Sequence, residues 1–420
     1  MSRTRTTFAL VLALLLALLA VLVAWLNVRG EQPLDSVDVP ATEALVARGA
    51  YLARAGNCMA CHTERGGAPY AGGRGIPTPF GTVYAGNLTP DAATGIGNWS
   101  AAEFWRALHH GRSKDGRLLY PAFPYPEYTL VTREDSDALY AFLRSQPAVQ
   151  KANRPHELRF PYNSQAALAV WRAMFFSPGE FRAAPDQPPQ WNRGAYLVRG
   201  LAHCQACHAP RNAFGATNSK LELSGGLIPM QNWYAPSLAD PAEAGVQDWP
   251  ADEVVQLLQT GHAPRGAAMG PMAEVVFSST QHLTEADLRA MATFLQALPR
   301  HAAAPPRKKT ATAETLDLGR RVYQNQCAQC HGDEGEGKGK AYAPLAGHRT
   351  VTMDSHTNLI RVILSGGFAP TTPGNPRPHG MPPFGHSLSD AEIAAVASYV
   401  RSAWGHRAGA VQQLDVQKLR

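Results

Sequence analysis

All six cysteines of this chain fall in three copies of Cys-x-x-Cys-His: Cys58, Cys61 and His62; Cys204, Cys207 and His208; Cys327, Cys330 and His331. Two thiols separated by two residues can each form a thioether to one vinyl edge of a porphyrin, while the adjoining imidazole reaches the iron as proximal ligand. The spacing predicts three covalently attached haems of the c type. Zinc is the competing metal, but it takes four ligands from two such pairs, and three pairs leave a remainder. Disulfides across each pair would suit a redox dithiol in a βαβ setting, and no such pattern surrounds them. The thiols are assigned to haem, and no structural disulfide is expected.

A haem held by His and Met has a raised potential suited to passing electrons, whereas an empty sixth position admits exogenous ligands. Downstream of the second motif, GAAMGPMAEVVF offers Met269 and Met272; downstream of the third, HGMPPFG offers Met381. Methionine is usually a core filler, but in a loop bounded by proline and glycine after a haem motif it reads as a ligand. The first segment breaks the pattern: LYPAFPYPEY places Phe123 where a ligand is expected, and phenylalanine cannot bind iron. His109 or His110, at the end of the preceding helix, and an open site are the alternatives there.

These residues need elements to hold them, and an internal repeat supplies the plan. Arg48-Gly49-Ala50-Tyr51-Leu52, before the first motif, is matched by Arg193-Gly194-Ala195-Tyr196-Leu197 before the second. NLTPDAATGIGNWSAAEFWRALHHG (87–111) resembles SLADPAEAGVQDWPADEVVQLLQTG (237–261), with Trp99 opposite Trp249, and each ends in an amphipathic helix closed by glycine. The third segment has a shorter version, NLIRVILSGG (358–367), without the tryptophan. Each segment then closes with a further helical pattern, at 133–145, 284–298 and 389–404, where an acidic residue near the start precedes apolar residues at three- and four-residue spacing. The expectation is an all-α fold with three tandem haem domains at 42–150, 191–302 and 315–405, much of each core being the cofactor. Residues 303–314 have the composition of an exposed linker, and 406–420 form a polar tail. The segment 151–190 carries AALAVWRAMFF (166–176), which reads either as a helix packed between domains or as an apolar surface that meets a partner subunit or the bilayer.

At the N-terminus, Arg3 and Arg5 precede an uninterrupted apolar run of 19 residues from Phe8 to Leu26. That length spans a bilayer as a helix, and no Ala-x-Ala cleavage site stands at its exit, so residues 1–30 read as an uncleaved transmembrane anchor in preference to a cleaved signal. The positive flank keeps the front end in the cytoplasm and sends the remainder across, which places the haem domains in a bacterial periplasm facing the inner membrane. The chain of 420 residues is 45% apolar and 17% charged with net charge +6. It holds no basic cluster dense enough for nucleic acid.

Taken together, RGAYLARAGNCMACH, GTVYAGNLTPD with GIGNW, DGRLLYPAFPYPEYT, GPMAEVVFSSTQHLT and HGMPPFG resemble the triheme cytochrome c subunits of membrane-bound bacterial dehydrogenases, such as those for alcohols, gluconate, fructose or aldehydes. The resemblance runs over 46–405. It implies three cytochrome c domains, with His62, His208 and His331 as proximal ligands and Met272, preferred to Met269, and Met381 as distal ligands. Alcohol and gluconate members usually carry methionine at the position of Phe123; the Pro-Ala-Phe-Pro-Tyr version here looks more like cytochrome subunits that accompany molybdenum hydroxylases of aldehydes or N-heterocycles. No Gly-x-Gly-x-x-Gly is present for a dinucleotide, so substrate oxidation is assigned to a partner subunit of flavin, PQQ or molybdenum type. The expected role is electron transfer, without catalysis in this chain, from that periplasmic dehydrogenase to ubiquinone or a terminal oxidase. Trp99 and Trp249 are candidates either to donate indole N–H bonds to haem propionates or simply to pack. The rival reading is a haem enzyme or a peroxide or gas sensor with a five-coordinate first haem.

Overall fold

The computed structural model describes residues 3–31, 33–34, 39–300, 309–339 and 342–420; residues 303–308 of the expected linker lie outside the described residues. The chain opens with the helix Arg3–Val28, whose apolar side chains are exposed along its length. Its 26 residues reach about 39 Å at the α-helical rise, enough to cross a bilayer.

One packing unit then recurs three times. A helix before each motif, Glu43–Ala55, Pro189–Ala195 and Ala313–Gln326, crosses the closing helix of its own segment, Arg133–Arg144, Glu285–Gln296 and Asp390–Val400 respectively. The crossings are made by glycine. A Cβ on Gly49 would stand 1.9 Å from the Ala138 carbonyl oxygen, one on Gly194 1.9 Å from that of Ala290, and one on Gly319 2.2 Å from that of Ala395. Phe142, Phe294 and Tyr399, one turn later, cover each glycine from the closing helix. Only a residue without a side chain lets the backbones approach this closely. Thr132, Thr284 and Ser389 cap the closing helices by accepting from the backbone N–H of Asp135, Asp287 and Glu392. In two of the three, that acidic residue also holds the opening helix: Arg48 donates to Asp135 at 2.6 Å and Arg193 pairs with both oxygens of Asp287 at 2.8 and 2.7 Å. In the third, Leu318 stands in the arginine's place and Glu392 folds back on its own cap.

The amphipathic helices in the middle of the segments are Ala101–His110, Ala251–Thr260 and Thr357–Ser365. Each stops at a glycine of positive φ, Gly111 (57°), Gly261 (74°) or Gly366 (62°). Short antiparallel ribbons complement the helices, a departure from a purely helical expectation. Gly75–Thr78 pairs with Gly81–Tyr84, which also takes Glu157–Leu158; Gly226–Ile228 pairs with Trp233–Ala235; Gly367–Phe368 pairs with Gly380–Met381. Strands of two to four residues leave no detectable alternation in a sequence, which is why they escape a reading based on periodicity.

The chain forms two compact units. The first comprises Met1–Ala53, Cys58–Arg182 and Ala213–Ala216, and the second Arg54–Asn57, Ala183–Asn212 and Thr217–Arg420. Two motif segments therefore share the second unit. Asn358 clamps the backbone of Tyr234 in both directions, accepting from its N–H at 2.9 Å and donating to its carbonyl at 2.7 Å. The guanidinium of Arg361 lies 5.6 Å from the Trp233 ring centre. The C-terminal residues are integral to this unit: Arg401, 2% exposed, donates to the carbonyls of Gly409, Val351 and Met353, and Arg420 pairs with Asp390 at 2.6 Å.

Candidate haem sites

Each Cys-x-x-Cys-His is built on a single short turn of helix, Cys58–His62, Gln205–His208 and Ala328–His331, with Cys204 and Cys327 as the N-cap residues of the last two; the i, i+3, i+4 spacing sets both thiols and the imidazole on one side of the turn. None of the six cysteines is in a disulfide. Burial, reinforced by the neighbouring thiol, pushes Cys58 and Cys204 up to about 12 and Cys327 to about 11. Among the described residues, no group of three or more His, Cys, Asp or Glu side chains comes together as a metal cage.

The three imidazoles share one arrangement. His62 Nδ1 lies 2.7 Å from the Gly86 carbonyl, His208 Nδ1 2.7 Å from that of Pro236, and His331 Nδ1 2.9 Å from that of Ala343. A carbonyl oxygen only accepts, so Nδ1 must carry the proton, and the lone pair is left on Nε2. Burial lowers the pKa of all three, more than the carbonyl bond raises it, which keeps the rings neutral. A neutral imidazole with its outer nitrogen fixed by a backbone acceptor is the oriented ligand that iron requires. The residues present therefore fit haem c at each motif: two thiols for the thioethers and one nitrogen donor locked in tautomer and direction.

These carbonyls escaped the sequence reading, although a signal was there. Tyr-Ala-Gly-Asn-Leu (84–88), Tyr-Ala-Pro-Ser-Leu (234–238) and Tyr-Ala-Pro-Leu (342–345) recur after the three motifs, and each contains the acceptor.

Met381, expected as a distal ligand, lies in the ribbon strand Gly380–Met381 and packs with Cys327 against the apolar cluster of the third segment, around Val322, Ile360 and Ile393. Met272 sits in the first turn of Pro271–Ser278, directly after Gly270, whose φ of 55° turns the chain where a Cβ would meet the Trp233 ring at 2.8 Å. The Cε of Met269 lies 3.4 Å from a Cβ built on Gly367 in the third segment's ribbon. Phe123 lies tilted against Tyr128, with ring centres 5.5 Å apart, and the buried Tyr128 phenol is raised by burial and then by Cys58 and Cys61. The ring that replaces a ligand thus adjoins a residue bordering the first motif. His109 stacks on Trp105 at 4.3 Å, and its buried Nδ1 meets no partner. His110 is held neutral, down to about 3, by burial and then by His109, Arg172, Arg112 and Arg106.

Trp249 is 6% exposed, and its indole N–H meets no acceptor among the described residues. A buried donor left unpaired is costly, and an acidic group of a bound cofactor would satisfy it. Trp99 is only half-buried.

Comparison with known proteins bears on the whole chain. The family model "Cytochrome c" matches residues 46–147, and "Cytochrome C oxidase, cbb3-type, subunit III" matches 314–400. The chain is 40% identical over 402 residues to the cytochrome c subunit of alcohol dehydrogenase (quinone) from Gluconobacter oxydans, covering 90% of this chain and 83% of that protein. It is 38% identical over 402 residues to the gluconate 2-dehydrogenase cytochrome c subunit of Pantoea cypripedii, covering 91% of each. It is 42% identical over 365 residues to a nicotinate dehydrogenase subunit of Pseudomonas putida, covering 85% of this chain and 30% of that protein.

Proposed function

The chain belongs to the family of cytochrome c subunits of bacterial alcohol, gluconate and fructose dehydrogenases, and on that premise we propose that it carries electrons through three haems from a periplasmic dehydrogenase subunit to ubiquinone or a terminal oxidase. The observation that carries the count of three is the repeated lock of His62, His208 and His331 on backbone carbonyls, the same at all three motifs. The haems would supply one-electron chemistry, and the chain fixes their attachment, orientation and potential. Cys58 and Cys61, Cys204 and Cys207, and Cys327 and Cys330 hold the porphyrin edges. Met381 and Met272 are the distal ligands in the third and second domains; Met269, directed at Gly367, is not. The domains are assigned to 42–150, 191–302 and 315–405, behind an N-terminal anchor in the inner membrane. Its catalytic partner is a separate dehydrogenase subunit, of flavin, PQQ or molybdenum type. Similarity to a nicotinate dehydrogenase subunit, together with Phe123 in Pro-Ala-Phe-Pro-Tyr, favours a partner that oxidises an N-heterocycle.

A second reading is favoured by Phe123 alone: an open first iron that reacts with peroxide or binds a small gas. Optical and EPR spectra of the purified protein, oxidised and reduced, with and without carbon monoxide, separate the two. Three low-spin haems indifferent to the gas support pure electron transfer with a protein ligand at the first site. One high-spin haem that binds carbon monoxide supports the open site. A pyridine haemochrome giving fewer than three haems per chain would defeat the count.

A further inference from the structure

The helix Gln165–Phe175 exposes an apolar stripe while burying a charged residue. Its outward stripe is Ala166, Val170 and Met174, spaced four residues apart, with Val170 46% and Met174 55% exposed and no polar group among them. Its inward side holds Leu168 and, beside it, Arg172, which is 3% exposed. A water-facing helix places its charges outward and its apolar stripe inward.

The buried arginine is there to meet the end of the N-terminal helix. Asn27, 7% exposed, accepts from Arg172 Nε at 2.9 Å and donates through Nδ2 to the Ala169 carbonyl at 2.9 Å. Arg112 donates to the Asn27 carbonyl at 3.0 Å and pairs with Glu31 at 2.7 Å. Arg29 donates to Ser177 Oγ at 2.7 Å. The Arg172 guanidinium also lies 5.1 Å from the Tyr125 ring centre and 4.8 Å from that of Phe176. The first polar residues after the apolar run are thus all spent on fastening it to this helix and to the base of the first unit.

That clasp fixes a level. The apolar run ends at Leu26, and Trp25, 58% exposed, stands at its exit, where aromatic residues of spanning helices meet the headgroups. Ala169 is bonded to Asn27, so Val170 follows at that level and Met174 one turn on. We propose that Gln165–Phe175 lies in the interfacial plane of the bilayer, with Ala166, Val170 and Met174 against acyl chains, and that the clasp of Asn27, Arg172, Arg112 and Glu31 makes the anchor a rigid post holding the first unit on the membrane. The occupant of the apolar face is the lipid surface, because it continues the face already given to lipid by the helix Arg3–Val28. This rests on the reading of that helix as a retained anchor.

The test uses full-length, haem-loaded protein carrying Met174→Cys, labelled with an environment-sensitive fluorophore and reconstituted into phosphatidylethanolamine/phosphatidylglycerol vesicles. Intact mass establishes whether the N-terminal helix is present. With it present, nitroxide-bearing lipids are expected to quench the label and aqueous iodide to fail. In the Asn27→Ala/Arg172→Ala background that preference reverses while the protein stays in the vesicles. Val170→Cys repeats the measurement without any change to the clasp, should the double variant fold poorly. A label open to iodide although the helix is retained overturns the proposal and leaves the anchor reading intact; a mature chain without the helix overturns both. Protection from iodide that appears only on adding the dehydrogenase subunit assigns the face to protein and also overturns the proposal.

Discussion

Gly319→Ala is the sharpest test of the crossing that holds each haem motif in place. The new Cβ would stand 2.2 Å from the Ala395 oxygen, 2.6 Å from the Ala395 carbonyl carbon and 2.7 Å from Tyr399 Cβ, against ordinary contacts of 3.4 Å or more. Two of those atoms are backbone, so relief requires the helices Ala313–Gln326 and Asp390–Val400 to part by roughly 1 Å in a close-packed interior. Alanine gains about 1 kcal/mol in helix propensity over glycine. Overpacking costs about 1–3 kcal/mol, more where only backbone can yield. A net loss of about 2 kcal/mol corresponds to a roughly 30-fold rise in the local opening equilibrium. Native-state hydrogen exchange over residues 313–326 reads that quantity directly. Gly179→Ala is the control, because its Cβ meets nothing within 4 Å. Exchange in the Gly319→Ala protein as slow as in the parent would refute the tight crossing and, with it, the parallel argument for Gly49 and Gly194.

Met381→Leu and Met272→Leu should each convert one low-spin haem to a high-spin haem that binds carbon monoxide, whereas Met269→Leu leaves the optical and EPR spectra unchanged; a spectral change in Met269→Leu alone would reverse the assignment in the second domain. His110 has a folded pKa of about 3, depressed first by burial and then by His109 and three arginines. The unfolded chain takes up a proton between pH 6.5 and about 3 that the folded chain refuses, so stability is full above pH 6.5 and falls as pH drops, by at most about 1.4 kcal/mol per unit. His110→Gln should narrow the difference in urea midpoint of the first unit between pH 7 and pH 5; an undiminished difference assigns the effect to other groups. Asn358→Ala strands the backbone N–H and carbonyl of Tyr234, at a cost of about 1–3 kcal/mol. Faster amide exchange in Trp233–Ala235, with the haem spectrum intact, is the expected result, and unaltered exchange counts against the clamp.

The chemistry of this chain was legible in its sequence because the haem motif is local: two thiols and an imidazole within five residues need no tertiary contact to be seen. The closing helices were legible for the same reason, each announced by an acidic residue near its start ahead of a helical apolar period. What stayed hidden is what joins distant positions. The acceptor for His62 is 24 residues away and that for His208 is 28 away, and a backbone carbonyl has no residue type to betray it. The strand Glu157–Leu158 pairs with Gly81–Tyr84 across a long separation, with too few residues to show a period. Arg172 lay in plain view within an apolar stretch, but only the position of Asn27 explains why it is buried. The stretch after residue 405 read as no more than a polar tail, yet Val411 and Val416 are buried in the core of the third segment.

The internal repeat also separates what holding a haem demands from what can vary, since three versions of one plan coexist in one molecule. All three keep a glycine crossing, a capped closing helix and an imidazole locked on a carbonyl. Together these features fix the motif turn and the proximal nitrogen in space. The arginine–aspartate pair is kept in two segments and absent from the third, where Leu318 packs instead and Arg401 ties the end of the closing helix to Val351, Met353 and Gly409. That substitution is permissible because the pair only reinforces a crossing that the glycine already sets. The position proposed for the distal ligand varies most, with Phe123, Met272 and Met381 on three different backbone settings. Because the axial ligand is among the strongest protein levers on a haem's potential, variation concentrated on that side is what a chain would show if it needed irons of equal attachment and unequal potential.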